Sequence, residues 1–162
     1  MPMQKNKITP FLWFDGKAEE AAKFYVAIFK NAKITDTMYT GDAGPGPKGS
    51  VLTVSFELDG QEFVGLNGGP QYNFTPAVSF CIMCETQAEV DAYWEKLLAG
   101  GGKPVACGWL ADKYGLSWQV TPRMLPMLLQ DKDAAKAARV MKAMMTMVKI
   151  DVAALQRAAD AT

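Results

Sequence analysis

Hydrophobic and polar positions follow two different rhythms along this 162-residue chain, and the places where the rhythm changes mark its elements. Residues 8–14 are a short run rich in aromatics that reads as a buried strand, broken by Asp15-Gly16. From there the apolar positions change step to Ala18, Ala21, Ala22, Tyr25, Ile28 and Phe29, the spacing of an amphipathic helix. Glu19 and Glu20 fall in its first turn, where the helix dipole favours negative charge. Strand-like stretches follow at 33–40, 51–58 and 62–67, and Asp59-Gly60 between the last two is a strong hairpin signal. The loop at 41–49, between the first two, holds four glycines and two prolines.

The order then begins again. Residues 76–84 read as a second apolar strand, Thr86 and Glu89 have capping-box spacing, and Val90, Tyr93, Trp94, Leu97 and Leu98 form a second helical stripe. Three glycines, 100–102, end that helix, and further strands are predicted at 103–109 and 114–121. The aromatic pair Phe24-Tyr25 in the first helix has a counterpart, Tyr93-Trp94, at similar depth in the second. The pattern predicts an α+β fold built by internal duplication of a strand–helix–strands unit. Module one spans about 8–70 and module two about 76–122, within a single domain over 1–162. Beyond Pro122 the pattern is helical, over about 123–162. One helix is predicted at 131–148, with Ala135, Ala138, Met141, Met145 and Val148 on one face, and a last one starts at an Asp151 N-cap. Ile150 and Leu155 stand at the two positions of a hydrophobic staple. From Leu125 onward this tail carries five of the ten methionines, an adaptable face that either packs on its own domain or meets a partner.

Composition changes the picture mainly by what it removes. There is no histidine, so His-based triads, His-bearing zinc sites and haem-binding histidines are all excluded. Seventeen basic residues balance seventeen acidic ones without clustering, which argues against a nucleic-acid partner. No window approaches the roughly 18 apolar residues of a membrane span. Residues 1–7 are polar and lack a signal-peptide core, so a cytoplasmic location is expected. Three cysteines suit reduced thiols better than a disulfide framework.

Several motifs dissolve when their geometry is considered. Gly44, Gly46 and Gly49 match G-x-G-x-x-G, but an alternating strand follows where the dinucleotide motif needs a helix, and prolines remove amide donors. Cys81 and Cys84 lie in a strand, where residues three apart point to opposite faces, so they read as packing groups. Glu19, Glu20, Glu89 and Asp91 belong to helix starts or solvated faces, while Glu57, Asp59 and Glu62 surround a hairpin turn, and a magnesium site from these acids is disfavoured. Alternation in 109–122 puts Leu116, Trp118 and Val120 on one side of a strand and Ser117 and Gln119 on the other.

Three stretches together resemble a known family: ITPFLWFDGKAEEAAKFY over 8–25, GLNGGP over 65–70 and DKYGLSWQ over 112–119. They are similar to the PhnB-like branch of the glyoxalase/bleomycin-resistance (vicinal oxygen chelate) superfamily, whose members are often labelled 3-demethylubiquinone 3-methyltransferase-like. The resemblance covers most of 8–122, and the methionine-rich tail also resembles the subgroup. It implies paired βαβββ modules whose curled sheets form a cup, usually completed in a homodimer. It also implies a divalent metal held by His and Glu side chains. Those positions fall near Pro10, near Ser79 and at Gln119, none of which carries an imidazole or a carboxylate. The usual metal site is therefore expected to be dismantled. The expectation is a metal-free, cofactor-free cup binding a small, partly apolar molecule. Pro10, Leu12 and Phe14 would form one wall, with Phe11 and Trp13 packing on the helix, and Ser79, Cys81, Trp109, Ser117 and Gln119 would add polar groups. The alternatives are a superfamily enzyme of lyase, isomerase or transferase type with an atypical metal site, and a dimeric scaffold whose cup its own side chains fill.

Overall fold

The structure, a computed structural model, describes residues 5–162. Two compact units divide the chain, the first ending at Asn73 and the second covering Phe74–Thr162. The first contains β1 (Phe11–Phe14), α1 (Ala18–Ile28), β2 (Lys33–Tyr39), β3 (Val51–Leu58) and β4 (Gln61–Asn67). Its sheet runs β1-β4-β3-β2, with β1 parallel to β4 and the other neighbours antiparallel. The second unit repeats the plan with β5 (Ser79–Cys84), α2 (Gln87–Leu98), β6 (Lys103–Pro104), β7 (Trp109–Ala111) and β8 (Ser117–Pro122), ordered β5-β8-β7-β6. The duplication legible in the sequence is therefore present, down to the parallel pairing of first and last strands.

In the first unit, Ala18, Ala21, Ala22 and Tyr25 are fully buried where α1 packs on β3 and β4. Tyr25, Phe56 and Phe63 stack in sequence, with centroids 6.1 and 5.5 Å apart. Position 65 is a close approach that favours glycine, because a Cβ there would come within 3.2 Å of the Ala18 Cβ and the helix would have to give way slightly. Asn67 completes the seat of the helix. Lys17, the N-cap residue, makes no side-chain cap bond; instead Asn67 Oδ1 accepts the Ala18 N–H at 2.9 Å, and Asn67 Nδ2 donates to the Val51 carbonyl at 3.0 Å.

The second unit has its own anchors. Thr86 caps α2 by accepting the Glu89 N–H at 3.2 Å. Asp112, 3% exposed, organises the β7–β8 turn: Oδ1 accepts the N–H groups of Tyr114 (2.9 Å) and Leu116 (3.1 Å), and Oδ2 accepts Trp118 Nε1 at 2.9 Å. The strand predicted at 103–109 is broken, because Cys107 (φ 60°) and Gly108 (φ 81°) turn the backbone left-handed between β6 and β7. Their N–H groups donate to the carbonyls of Met147 and Val148, both at 2.8 Å, which ties this bend to the tail.

The tail forms three helices: α3 (Met124–Leu129), α4 (Ala134–Met144) and α5 (Val152–Asp160). Helix α3 lies within the helical tail expected over 123–162 but is not marked as a separate helix by the sequence pattern, and α4 is shorter at both ends than the expected 131–148, starting at an Asp133 cap. Leu125, Val140, Ile150, Leu155 and Ala159 form its core, so the staple pair Ile150 and Leu155 is buried together. The tail packs on its own unit. Gln87 of α2 holds the start of α5, accepting the Val152 N–H at 2.7 Å and donating to the Ile150 carbonyl at 3.0 Å. Lys149 pairs with Asp91 at 2.8 Å. Among the described residues no helix is long and apolar enough to cross a membrane.

Two expectations follow. Replacing Asp112 with Ala strands two backbone donors and the Trp118 indole, and should cost about 3 kcal/mol in denaturant unfolding, while Asp112→Asn, which keeps an acceptor, should cost less. Lys149, then Gln87, hold the Asp91 carboxyl below its ordinary pKa against the opposing effect of burial. Its contribution to stability is then full above the ordinary carboxylate value and lost as pH falls through the lowered one. Melting curves taken across that acid window should show a shallower pH dependence for Asp91→Asn than for the parent chain.

Candidate functional site

Each module has one helix for two sheet faces, so one face of each sheet is left without a covering helix from its own module. In module two the register sorts the side chains cleanly. Phe80, Ile82 and Cys84 pair with Trp118, Val120 and Pro122 on the α2 side, where Cys84, Trp118 and Val120 are buried. On the opposite face Ser79, Cys81 and Met83 pair with Ser117, Gln119 and Thr121, and Trp109 pairs with Gln119. Ser79, Cys81, Trp109, Ser117 and Gln119 therefore share one face. Gln119 Nε2 donates to Ser79 Oγ at 2.9 Å, and the Cys81 thiol donates to Thr121 Oγ1 at 3.4 Å. This face carries hydroxyls, a thiol, an amide and an indole, with Ser117 itself buried at 4% exposure, and its ladder positions carry no carboxylate.

Module one corrects the expected wall. Leu12 (5% exposed) and Phe14 (4%) lie on the helix side, with the Phe14 ring 3.5 Å from the Cβ position of Gly65, beneath Ala18. Phe11, 53% exposed, and Trp13 take the other face. Pro10 precedes the strand and is half-buried, its carbonyl accepting the Val64 N–H at 3.0 Å. The parity is thus the reverse of the expectation. A slip of one residue moves every side chain of a strand to the opposite face, and the unbroken apolar run from Pro10 to Phe14 gave alternation nothing to fix it. Counting back from the matched strand ends, Phe14 and Cys84, the residue equivalent to Ser79 is Thr9.

The open face of module one holds a group of charges that the sequence pattern had left around a hairpin turn. Glu57 and Glu62 are direct cross-strand partners, and Lys33 lies opposite Glu57 on β2. They border a cleft of about 250 Å³ together with Lys5, Thr9, Ser55 and Val64. Lys5 Nζ lies 2.8 Å from Glu57 Oε1, and Lys33 Nζ lies 4.0 Å from Oε2. The two Glu62 oxygens accept the backbone N–H groups of Lys5 and Asn6, each at 3.1 Å. The Lys5 hydrogen bond draws the Glu57 carboxyl below its ordinary range, while partial burial opposes it. One signal could have found this pair: an Asp59-Gly60 hairpin places Glu57 and Glu62 directly opposite each other.

The motifs that carry the family resemblance have structural work here. Trp13 Nε1 donates to the Gly69 carbonyl at 2.9 Å, and a Cβ at Gly68 would strike the Trp13 ring. Tyr72 meets that ring edge-on at 4.9 Å. Among the described residues no three Cys, Asp or Glu side chains converge as a metal site.

Two βαβββ modules with first and last strands parallel define a protein of the glyoxalase-like fold. The chain belongs to the family described as 3-demethylubiquinone-9 3-methyltransferase, which matches residues 6–121. A PhnB protein from Bacillus cereus is 40% identical, and the likeness covers 70% of this chain and 97% of that one, with a TM-score of 0.64. Protein PA1353 from Pseudomonas aeruginosa shares the fold at 18% identity, covering 70% of this chain and 95% of that one, with a TM-score of 0.57. A glyoxylase/bleomycin resistance protein/dioxygenase domain from Frankia sp. EAN1pec is a further likeness, at 14% identity, 72% and 90% coverage and a TM-score of 0.48. No curated protein matches the chain. The family match ends at residue 121, so it does not extend to the helical tail, and the expected likeness of that tail to the subgroup gains no support from it.

The thiols offer a direct check of the face assignments. Burial pushes the Cys84 thiol up to about 12, whereas Cys81 is exposed. Brief alkylation of the native protein, mapped by peptide mass, should label Cys81 well before Cys84. Early labelling of Cys84 would place β5 in the wrong parity.

Proposed function

We propose that this protein binds a small molecule through the neutral open face of module two, without a divalent metal. The observation carrying this reading is the Gln119–Ser79 hydrogen bond, which joins an amide and a hydroxyl at two positions where the resemblance implies metal ligands. With Nε2 turned to Ser79, Gln119 presents its carbonyl oxygen as an acceptor and Ser79 its hydroxyl as a donor. Trp109, paired with Gln119, supplies a flat apolar surface beside them. This combination suits a neutral ligand with a donor and an acceptor on an aromatic body, the usual mixture of apolar wall and few polar groups.

The donor set does not fit the divalent metal that the resemblance implies. Neutral amide and hydroxyl oxygens are weak ligands without a carboxylate beside them, and the two carboxylates of module one are engaged by Lys5. Methyl transfer, named in the family's description, finds no support in the glycine-rich loop. That loop joins β2 to β3 as a hairpin, closed by the Thr40 N–H donating to the Ser50 carbonyl at 2.7 Å, and no helix N-terminus follows it. The proposal includes a cup completed by a second copy of the chain, and a cytoplasmic location; the first comes from the family resemblance and the second from the sequence.

Calorimetric titration with aromatic amides, imides and lactams, in the presence of a chelator, tests the reading. At least one class should bind with the chelator present, and Gln119→Ala should weaken it roughly tenfold, the loss of about one hydrogen bond. Binding that appears only after manganese or magnesium is added, or that is indifferent to Gln119→Ala, would overturn it.

A further inference from the structure

The cleft of module one has a chemistry unlike that of module two. Its floor places Glu57 and Glu62 directly across two antiparallel strands, and like charges in that relation repel unless a cation lies between or beside them. The Glu57 side chain is only 11% exposed, so its charge belongs to the cleft. The cation that meets it does not: the Lys5 side chain is 71% exposed and reaches in from the segment ahead of β1. That segment is held on the neighbouring carboxylate, Glu62, by the backbone N–H groups of Lys5 and Asn6. Lys33, the other basic side chain lining the cleft, stands farther off, at 4.0 Å from Glu57.

One further group in the cleft is unsatisfied. Thr9 lines it, and its Oγ1 is buried with no hydrogen-bond partner. Buried polar groups nearly always find a partner, and an acceptor of this kind beside two carboxylates suits a ligand with several N–H donors. The volume, about 250 Å³, lies just under the range of roughly 300–1,000 Å³ usual for drug-sized ligands, and suits a small one. Val64, on the same face as Glu62, adds apolar surface to the lining, while the Phe56 and Phe63 rings stack beneath Tyr25 on the other side of the sheet. We infer that this cleft is a binding site for a small organic cation, a primary ammonium on a short apolar chain, and that Lys5 is its built-in competitor. The lysine side chain is itself a tethered butylammonium, and it occupies the position that the free ligand would take. The ligand displaces an exposed arm held by three hydrogen bonds, and the two carboxylates keep a cation throughout.

The inference concerns a different face from the one assigned to the neutral ligand, and does not depend on that assignment. The test uses the full chain, its Lys5→Met variant and n-butylammonium chloride as the probe, followed by amide resonances in two-dimensional NMR, with n-butanol and magnesium chloride as controls at matched ionic strength. Butylammonium should shift the Ser55, Glu57 and Val64 amides of Lys5→Met saturably. The parent chain should need a roughly three- to tenfold higher concentration, because a tethered competitor acts at an effective concentration in the millimolar range. Adding Glu57→Gln to Lys5→Met should abolish the response; if that variant does not fold, Glu62→Gln serves in its place. The inference fails if Lys5→Met shows no saturable shift, if butanol or magnesium reproduces the response, if parent and variant respond alike, or if the response survives loss of the carboxylate.

Discussion

Each module rests on one pairing, the first strand lying parallel to the last. Parallel neighbours need a crossover between them, and here the crossover carries a helix that packs on the sheet it leaves. The last strand thereby becomes interior, flanked by the first strand and by its hairpin partner. One helix covers one face, and the other face receives no helix from its own module. That asymmetry decides which residues are core and which are available for chemistry. It also explains why the anchors collect on the last strands and their approaches: Gly65 lets α1 come close, Asn67 caps it from across the sheet, and Asp112 fixes the turn that delivers β8.

These anchors coincide with the motifs that relate the chain to its family. Within the stretch 65–70, Gly65 and Asn67 seat the helix and Gly68 and Gly69 receive Trp13. In the stretch 112–119, Asp112 and Trp118 are bonded to each other within the core. A signature made of such residues transmits a scaffold, and a scaffold does not by itself carry a reaction. Membership of the family is consistent with open faces whose chemistry differs from the superfamily's metal site. In this chain one such face is neutral and the other holds a balanced group of two lysines and two glutamates.

Local signals with a single physical meaning were legible before the structure. The Thr86 and Asp151 caps, the Ile150–Leu155 staple, the α1 stripe and the Asp59-Gly60 hairpin all appear as expected. What was lost had ambiguous or distant causes. The aromatic run into β1 is apolar on both faces, so alternation does not set its parity, and the structure reverses the sides expected for Leu12 and Phe14. The break at Cys107 and Gly108 depends on carbonyls forty residues away in sequence. Helix α3 contains a proline near its start, tolerated in a first turn but a poor advertisement for a helix. Lys5 reaches its partners Glu57 and Glu62 across more than fifty residues, with no periodicity to reveal it.

The central claim, that recognition on module two proceeds through neutral groups without a metal, is tested most directly by weighing the protein. Native mass spectra of the full chain, purified without chelator, are compared with its denatured mass. The account predicts no increment of a divalent metal per chain, with any retained mass that of an organic ligand. One divalent metal bound per chain would contradict it.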